Sequence, residues 1–373
     1  MNLNKNNPKS MRKLKYSLVL DEKIVKSRCF RLTKRITFAA FKIFTVIFLV
    51  VFVVFPLIFK YSYGLQCRVV FLNFIHVAYQ SDFSQPQKYG LDGTRNLYLP
   101  TEDGITLGVW QILPENLVNS SETDDQYFEN ILGNGQDVVI YHHGNAGTRL
   151  TGHRVELYKV LRKHFHVITF DYRSYGDSTD VRPSETDVVK DCLHIYNWVS
   201  NRTSGNIFIW AHSLGTSLAM HSLALLQSKG IQPMGVFLEA PFNNMREEIS
   251  EFPLARIFRG LPWFSYTVIE PLQENGFTFR TDNFICAVDA PILILHAEDD
   301  HVVPFRLGYK LYEEGLRCRK ATQGKLIFHG FDGKYGYNHK YICRDPGIHN
   351  IIRNFVELAE KESKEKFGKR LIE

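Results

Sequence analysis

The chemistry of this sequence is concentrated at a serine between small residues, placed at the end of an apolar run. Ile207, Phe208, Ile209 and Trp210 lead into Ala211, His212, Ser213, Leu214 and Gly215. Apolar residues then recur at helical spacing through Leu218, Leu223, Leu225 and Leu226, and Gly230 is a helix stop. A strand, a sharp turn and a helix with serine at the apex make a nucleophile elbow, G-x-S-x-G in consensus. The helix N-terminus beneath the hydroxyl favours negative charge there. The first glycine is replaced by Ala211, which is small enough to fit. The alternative is an ordinary strand-to-helix turn carrying a surface serine.

A serine nucleophile needs a histidine base and an acid, in the chain order Ser, Asp or Glu, His. Another apolar run, residues 292–295, ends in His296, Ala297, Glu298, Asp299, Asp300, His301, Val302, Val303 and Pro304. The acid-x-x-Val-Pro spacing favours Asp300, with Asp299 and Glu298 as alternatives. Three histidines follow the last strand: His329, His339 and His349. Spacing favours His339, in a loop before the final helix, over His329, which abuts the strand. In such a triad His339 takes the proton from Ser213, and Asp300 fixes its tautomer. Oxyanion donors are expected from the backbone N–H of Leu214 and, in the run HHGNAG at residues 142–147, from Asn145.

The elements that must carry these residues alternate. Short apolar strands are expected at residues 138–141, 167–170, 207–210, 236–238, 292–295 and 326–328, with helical stretches such as 153–164 and 186–199 between them. This is an α/β pattern: a mostly parallel sheet covered on both faces, with its active site at the carboxyl ends of strands. A hairpin precedes it, turning at Asp103-Gly104. Residues 241–289 are too long for one connection. Rich in Phe, Leu and Trp and broken by Pro253 and Pro262, they read as a cap inserted after the sixth strand that shapes an acyl pocket, or else as plain core. Arg246, Arg256 and Arg259 lie within it; they either solvate the cap surface or, for one near the pocket mouth, pair with an anionic headgroup.

The chain has 373 residues and a formal charge of +6. Residues 1–35 hold eleven Lys or Arg against Asp21 and Glu22, so the rest is near neutral and no nucleic-acid surface is indicated. Residues 36–59 are apolar apart from Lys42, long enough to cross a bilayer and too late in the chain for a cleaved signal. The basic flank places the N-terminus in the cytosol and the globular domain on the lumenal or extracellular side. Sequons at Asn119 and Asn201 agree with that side. The organisation expected is a basic tail (1–35), a transmembrane helix (36–59), a juxtamembrane connector (60–95), a hydrolase domain (96–365) with its cap (241–289), and a tail (366–373). Within the connector, residues 69–74 are either a core helix or a segment lying in the membrane interface. Six cysteines show neither a zinc spacing nor a disulfide framework; one disulfide is possible, its pairing open.

In these blocks the chain resembles the membrane-anchored monoacylglycerol and lysophosphatidylserine lipases of the α/β-hydrolase-domain type twelve family. The resemblance rests on HHGNAGTR (142–149), DYRSYGDS (171–178), AHSLGT (211–216), HAEDD with VVP (296–304) and HKYI (339–342). It implies that Ala211 is the family's own residue and that serine, acid and histidine fall on Ser213, Asp300 and His339. It also implies an endoplasmic-reticulum membrane protein hydrolysing single-acyl lipids in the lumen, though the last four residues form no retention signal. The reading is a membrane serine esterase acting through an acyl-enzyme on a single-chain lipid, with no cofactor or metal. A protein depalmitoylating thioesterase and a non-catalytic hydrolase-fold adaptor are the alternatives.

Overall fold

The computed structural model describes residues 8–75, 82–118, 124–252 and 255–370, the side chains of Ser10 and residues 366–370 excepted. It divides into two compact units, residues 1–61 and 62–373.

The first unit is helical: α1 (Pro8–Leu49), a π-turn (Val50–Val54) and α2 (Phe55–Tyr61). The helix thus begins well before the apolar segment and includes the basic flank. Pro56 has no N–H to donate, and the π-turn, closed by Phe55 N–H onto Val50 O, accommodates the missing bond. Over residues 11–61 this unit contains one helix long and apolar enough to cross a membrane.

The second unit opens with α3 (Tyr63–Phe71), in the stretch expected to be a connector. Of the two readings of residues 69–74, the core helix is the one found through Phe71: Val70 and Phe71 are buried, and the Phe71 ring meets Phe277 and Phe279 edge-on. The described residues of 62–95 therefore fall in the same unit as the sheet that follows. Residues 76–81 lie outside the described residues.

One sheet of eight strands follows: β1 (Thr94–Pro100), β2 (Thr106–Ile112), β3 (Val138–His142), β4 (His166–Phe170), β5 (Ile207–His212), β6 (Gly235–Glu239), β7 (Ile292–Ala297) and β8 (Leu326–Phe331). Its order is β1-β2-β4-β3-β5-β6-β7-β8; only the pairings made by β2 are antiparallel. The strands from β3 to β7 are almost wholly buried, which is why they read as continuous apolar runs. The order reverses at β3, between β4 and β5, and β3 pairs with β5 so that His142 faces Ala211. That register brings the HHGNAG loop beside the elbow.

The remaining helices are α4 (Asp125–Ile131), α5 (Gly152–Leu161), α6 (Glu185–Ser200), α7 (Leu214–Gln227), α8 (Met245–Glu251), α9 (Glu270–Glu274), α10 (Thr281–Ala287), α11 (Phe305–Cys318) and α12 (Ile348–Arg370). The stretch expected to be a cap has two characters. Its first part carries exposed apolar residues, Phe252 at 37% and Ile257 at 69%. Its last part is core: Phe277, Phe279 and Ile285 are fully buried, and Phe284 stacks on His221 of α7 at 4.2 Å. Pro253 and Leu254 lie outside the described residues. The open cysteine pairing resolves to Cys286–Cys318, joining α10 to the end of α11.

Candidate active site

Ser213 sits between β5 and α7 with φ +52°, a left-handed conformation costly for a non-glycine residue and held by its surroundings. Its N–H donates to Glu239 O at 2.9 Å, and its carbonyl accepts from Thr216 N–H and Oγ1. Gly215 is required by space: a Cβ there would lie 2.4 Å from His142 O and 2.7 Å from His143 O. Leu214 opens α7, so its N–H has no intrahelical acceptor. Gly144 packs against the elbow; a Cβ on it would lie 2.7 Å from His212 Nδ1 and 3.1 Å from Ser213 Cβ.

Asp300 is fully buried after β7, and its two oxygens are divided. Oδ1 accepts the N–H groups of Val302 and Val303 at 2.8 and 2.9 Å; Oδ2 accepts His339 Nδ1 at 2.7 Å. His296 Nε2 donates to Val303 O at 2.9 Å and lies 3.3 Å from the same Oδ2. Burial alone would raise the Asp300 carboxyl, but His339 and His296 beside it hold it well below the ordinary carboxylate range. Gly308 of α11 lets His296 come close, since a Cβ there would lie 2.1 Å from its Nδ1.

The alternatives are engaged elsewhere. Asp299 Oδ2 accepts Asn338 N–H at 3.0 Å, and Glu298 Oε2 accepts Gly333 N–H. His329 packs its ring on Phe331, and His349 pairs with His164 at 2.9 Å. His339 is instead tied to the elbow: His212 Nε2 donates to His339 O at 2.8 Å, and the two rings lie 4.7 Å apart. Burial, with His339 next to it, pushes His212 far below the usual histidine value, so it stays a neutral donor.

Asn145 lies in the expected loop, and Ala146 (φ +56°) and Gly147 (φ +67°) follow in left-handed backbone. Arg154 of α5 braces that loop, donating to Gly144 O at 2.9 Å and Ala146 O at 2.6 Å. The charged residues of the motif at 171–178 hold the fold together. Asp171 binds Arg149 through both its N–H and its guanidinium, and Arg149 also grips Asp177. Arg256 and Arg259 pair with Glu251 rather than standing free. Asn201 is exposed at the end of α6; Asn119 lies outside the described residues.

Sequence reasoning missed Glu239. It is buried and accepts Trp210 Nε1 at 2.7 Å, and burial raises its carboxyl to about 8, helped by Asp300 nearby. The only sequence signal was an acid ending an apolar strand.

A left-handed serine between a strand and a helix, with a buried Asp–His pair at neighbouring strand ends, defines a serine hydrolase of the α/β-hydrolase fold. Residues 139–319 match the alpha/beta hydrolase family. An esterase from Pyrococcus furiosus shares the fold, with a TM-score of 0.54 at 16% identity over 76% of this chain and 95% of that one. The chain is 42% identical over 315 residues to the lysophosphatidylserine lipase ABHD12 of Gallus gallus, covering 84% of this chain and 82% of that protein. It is 40% identical over 314 residues to the protein of that name from Rattus norvegicus, covering 83% and 79%. It is also 32% identical over 292 residues to human protein ABHD12B, covering 77% and 79%. The chain belongs to the ABHD12 family.

Proposed function

We propose that this protein is a membrane-anchored lipase that cleaves the acyl ester of single-chain lipids, lysophosphatidylserine and other lysophospholipids together with monoacylglycerol. Ser213 Oγ attacks the acyl carbonyl while His339 Nε2 takes its proton. Asp300 holds the tautomer with Nδ1–H and stabilises the imidazolium. The N–H groups of Leu214 and Asn145 receive the oxyanion. His339 then protonates the departing glycerol oxygen, leaving an acyl-enzyme on Ser213. Water, deprotonated by His339, releases the fatty acid.

The observation that carries this reading is the buried Asp300–His339 hydrogen bond, tied through His212 to the elbow of Ser213. The family relatives named for lysophosphatidylserine supply the substrate class. A single-chain lipid can leave the bilayer, which suits an anchored enzyme, and the one-chain pocket expected from the cap would leave no place for the further chains of triacylglycerol. The same reading puts the catalytic domain in the lumen of the endoplasmic reticulum, with the basic N-terminus in the cytosol.

Initial rates of the full chain on lysophosphatidylserine, monoacylglycerol, triacylglycerol and an S-acylated peptide in one detergent test it. Hydrolysis of the first two, with little of the third, is expected. Triacylglycerol turning over fastest contradicts the one-chain pocket. Activity on the S-acylated peptide alone would make the protein a thioesterase.

A further inference from the structure

The segment that the sequence left as a connector is bonded directly to the loop that receives the oxyanion. Asn145 Nδ2 donates to Val70 O, in the last turn of α3, at 2.5 Å. Its Oδ1 accepts Ala146 N–H at 2.9 Å and lies 3.1 Å from the Tyr175 hydroxyl. The Tyr175 hydroxyl bonds Phe71 O, one residue further along α3. Just beyond the helix, Gly147 N–H donates to Ile75 O at 3.3 Å, and Asn73 Nδ2 donates to Ser174 Oγ at 2.5 Å. Residues 70–75 thus lend three backbone carbonyls to residues 145, 147 and 175.

Two of these carbonyls, those of Val70 and Phe71, come from the end of a helix, where the last turn has acceptors without intrahelical donors. A half-buried Asn that fills such an acceptor while its own oxygen accepts Ala146 N–H and lies against the Tyr175 hydroxyl has few rotamers left. The left-handed backbone at Ala146 is costly for a non-glycine residue, and it holds only where neighbours over-determine it. Arg154 supplies one brace from α5. The other comes from α3, which is itself clamped by the loop before α10: Tyr63 stacks on Phe277 at 5.6 Å, and Asn275 Nδ2 donates to Gln66 Oε1 at 2.7 Å.

We propose that α3 positions the oxyanion loop, with the side chains of Asn145 and Tyr175 as the positioning residues, so that the helix next to the membrane anchor in sequence sets the turnover rate. The inference rests on the proposed hydrolase reading. Asn145 here has two separate duties. In the proposed mechanism its backbone N–H receives the oxyanion, and its side chain keeps that N–H in place. Loss of the side-chain bond shifts the donor without removing it, and a displacement of about 1 Å in such a group lowers rates by up to roughly 100-fold.

The test uses the full chain in detergent with Asn145→Asp, which keeps size and the Oδ1 acceptor but turns the donor facing Val70 O into an acceptor. Tyr175→Phe, which removes one hydroxyl, is the milder variant. Active sites are titrated with a fluorophosphonate, so that rates are counted per competent serine and any unfolded fraction drops out. For Asn145→Asp, kcat on lysophosphatidylserine should fall roughly 10- to 100-fold with KM within about twofold, and Tyr175→Phe should fall less in the same sense. The rate constant for phosphonylation of Ser213 should fall in parallel. Variants that lose thermal stability but keep wild-type kcat per titrated site would overturn the proposal, because the bonds would then be structural only. A wild-type protein that is phosphonylated but turns over no lysolipid would instead reject the substrate reading. The positioning claim is then decided by the phosphonylation rates alone.

Discussion

His212 donates through Nε2 to the carbonyl of His339, 2.8 Å away, so the residue before the elbow serine holds the backbone of the histidine that serves it. His212 is buried and neutral, and its bond crosses from β5 to the loop after β8. His212→Ala should keep the fold and lower kcat by about tenfold or more, through a less ordered His339. His329→Ala, on a ring packed against Phe331, should stay within about threefold of wild type. Steady-state kinetics on both variants check this; an inactive His329→Ala would move the base to that residue.

The neighbouring acids should separate as sharply. Asp300→Asn leaves the shape intact but presents the wrong tautomer to His339, and a loss of about 10⁴-fold in kcat is expected. Asp299→Asn disturbs only the bond from Asn338 N–H and should cost less than about tenfold. The reverse ranking would transfer the acid's role to Asp299.

Glu239 gives a pH dependence of stability with a definite sign. Its buried carboxyl is raised to about 8, above an unfolded value near 4.3. Between these values the folded chain keeps a proton that the unfolded chain releases, so this group makes stability fall as pH rises from about 4.5 to 8. Glu239→Gln keeps an acceptor for Trp210 Nε1 and removes the titration. The variant should gain on wild type by roughly a few kcal/mol as pH goes from 5 to 8. Thermal unfolding across that range measures it; a constant difference would mean the carboxyl is not protonated in the fold.

The Cys286–Cys318 bond closes a loop of 32 residues and fastens α10 to α11. Reducing it, or replacing both residues with Ser, should destabilise the protein by roughly 2–4 kcal/mol, seen as a lower denaturation midpoint. An unchanged midpoint under reductant would mean that the thiols are free.

A disulfide is at home in an oxidising compartment, in keeping with the lumenal placement proposed from the basic flank. In sealed microsomes the chain after residue 61 should resist added protease until detergent is present. Asn201→Gln or Asn119→Gln should remove a glycosidase-sensitive mass shift. Digestion without detergent would put the domain in the cytosol.

Much of this architecture was legible in the sequence because burial writes itself there. The six parallel-type strands appeared as apolar runs, and the structure lengthens each by one to three residues into polar ends such as His142, His212 and Glu239. Ser213 was marked by a local pattern, since a sharp turn needs small neighbours. Asp300 and His339 were chosen among neighbours by spacing alone; their pairing is a tertiary fact. The role of α3 was not legible, because it acts through backbone carbonyls, which carry no residue signature. Which part of residues 241–289 is buried was not legible, because apolar aromatics mark a core helix and a lipid pocket alike; Phe277, Phe279 and Ile285 are fully buried.

The most direct test of the central claim is release of fatty acid from lysophosphatidylserine by the purified full chain, compared with Ser213→Ala at equal folded concentration. The account predicts steady turnover by the wild type and none above background by the variant. A Ser213→Ala protein hydrolysing the lipid at the wild-type rate would contradict it.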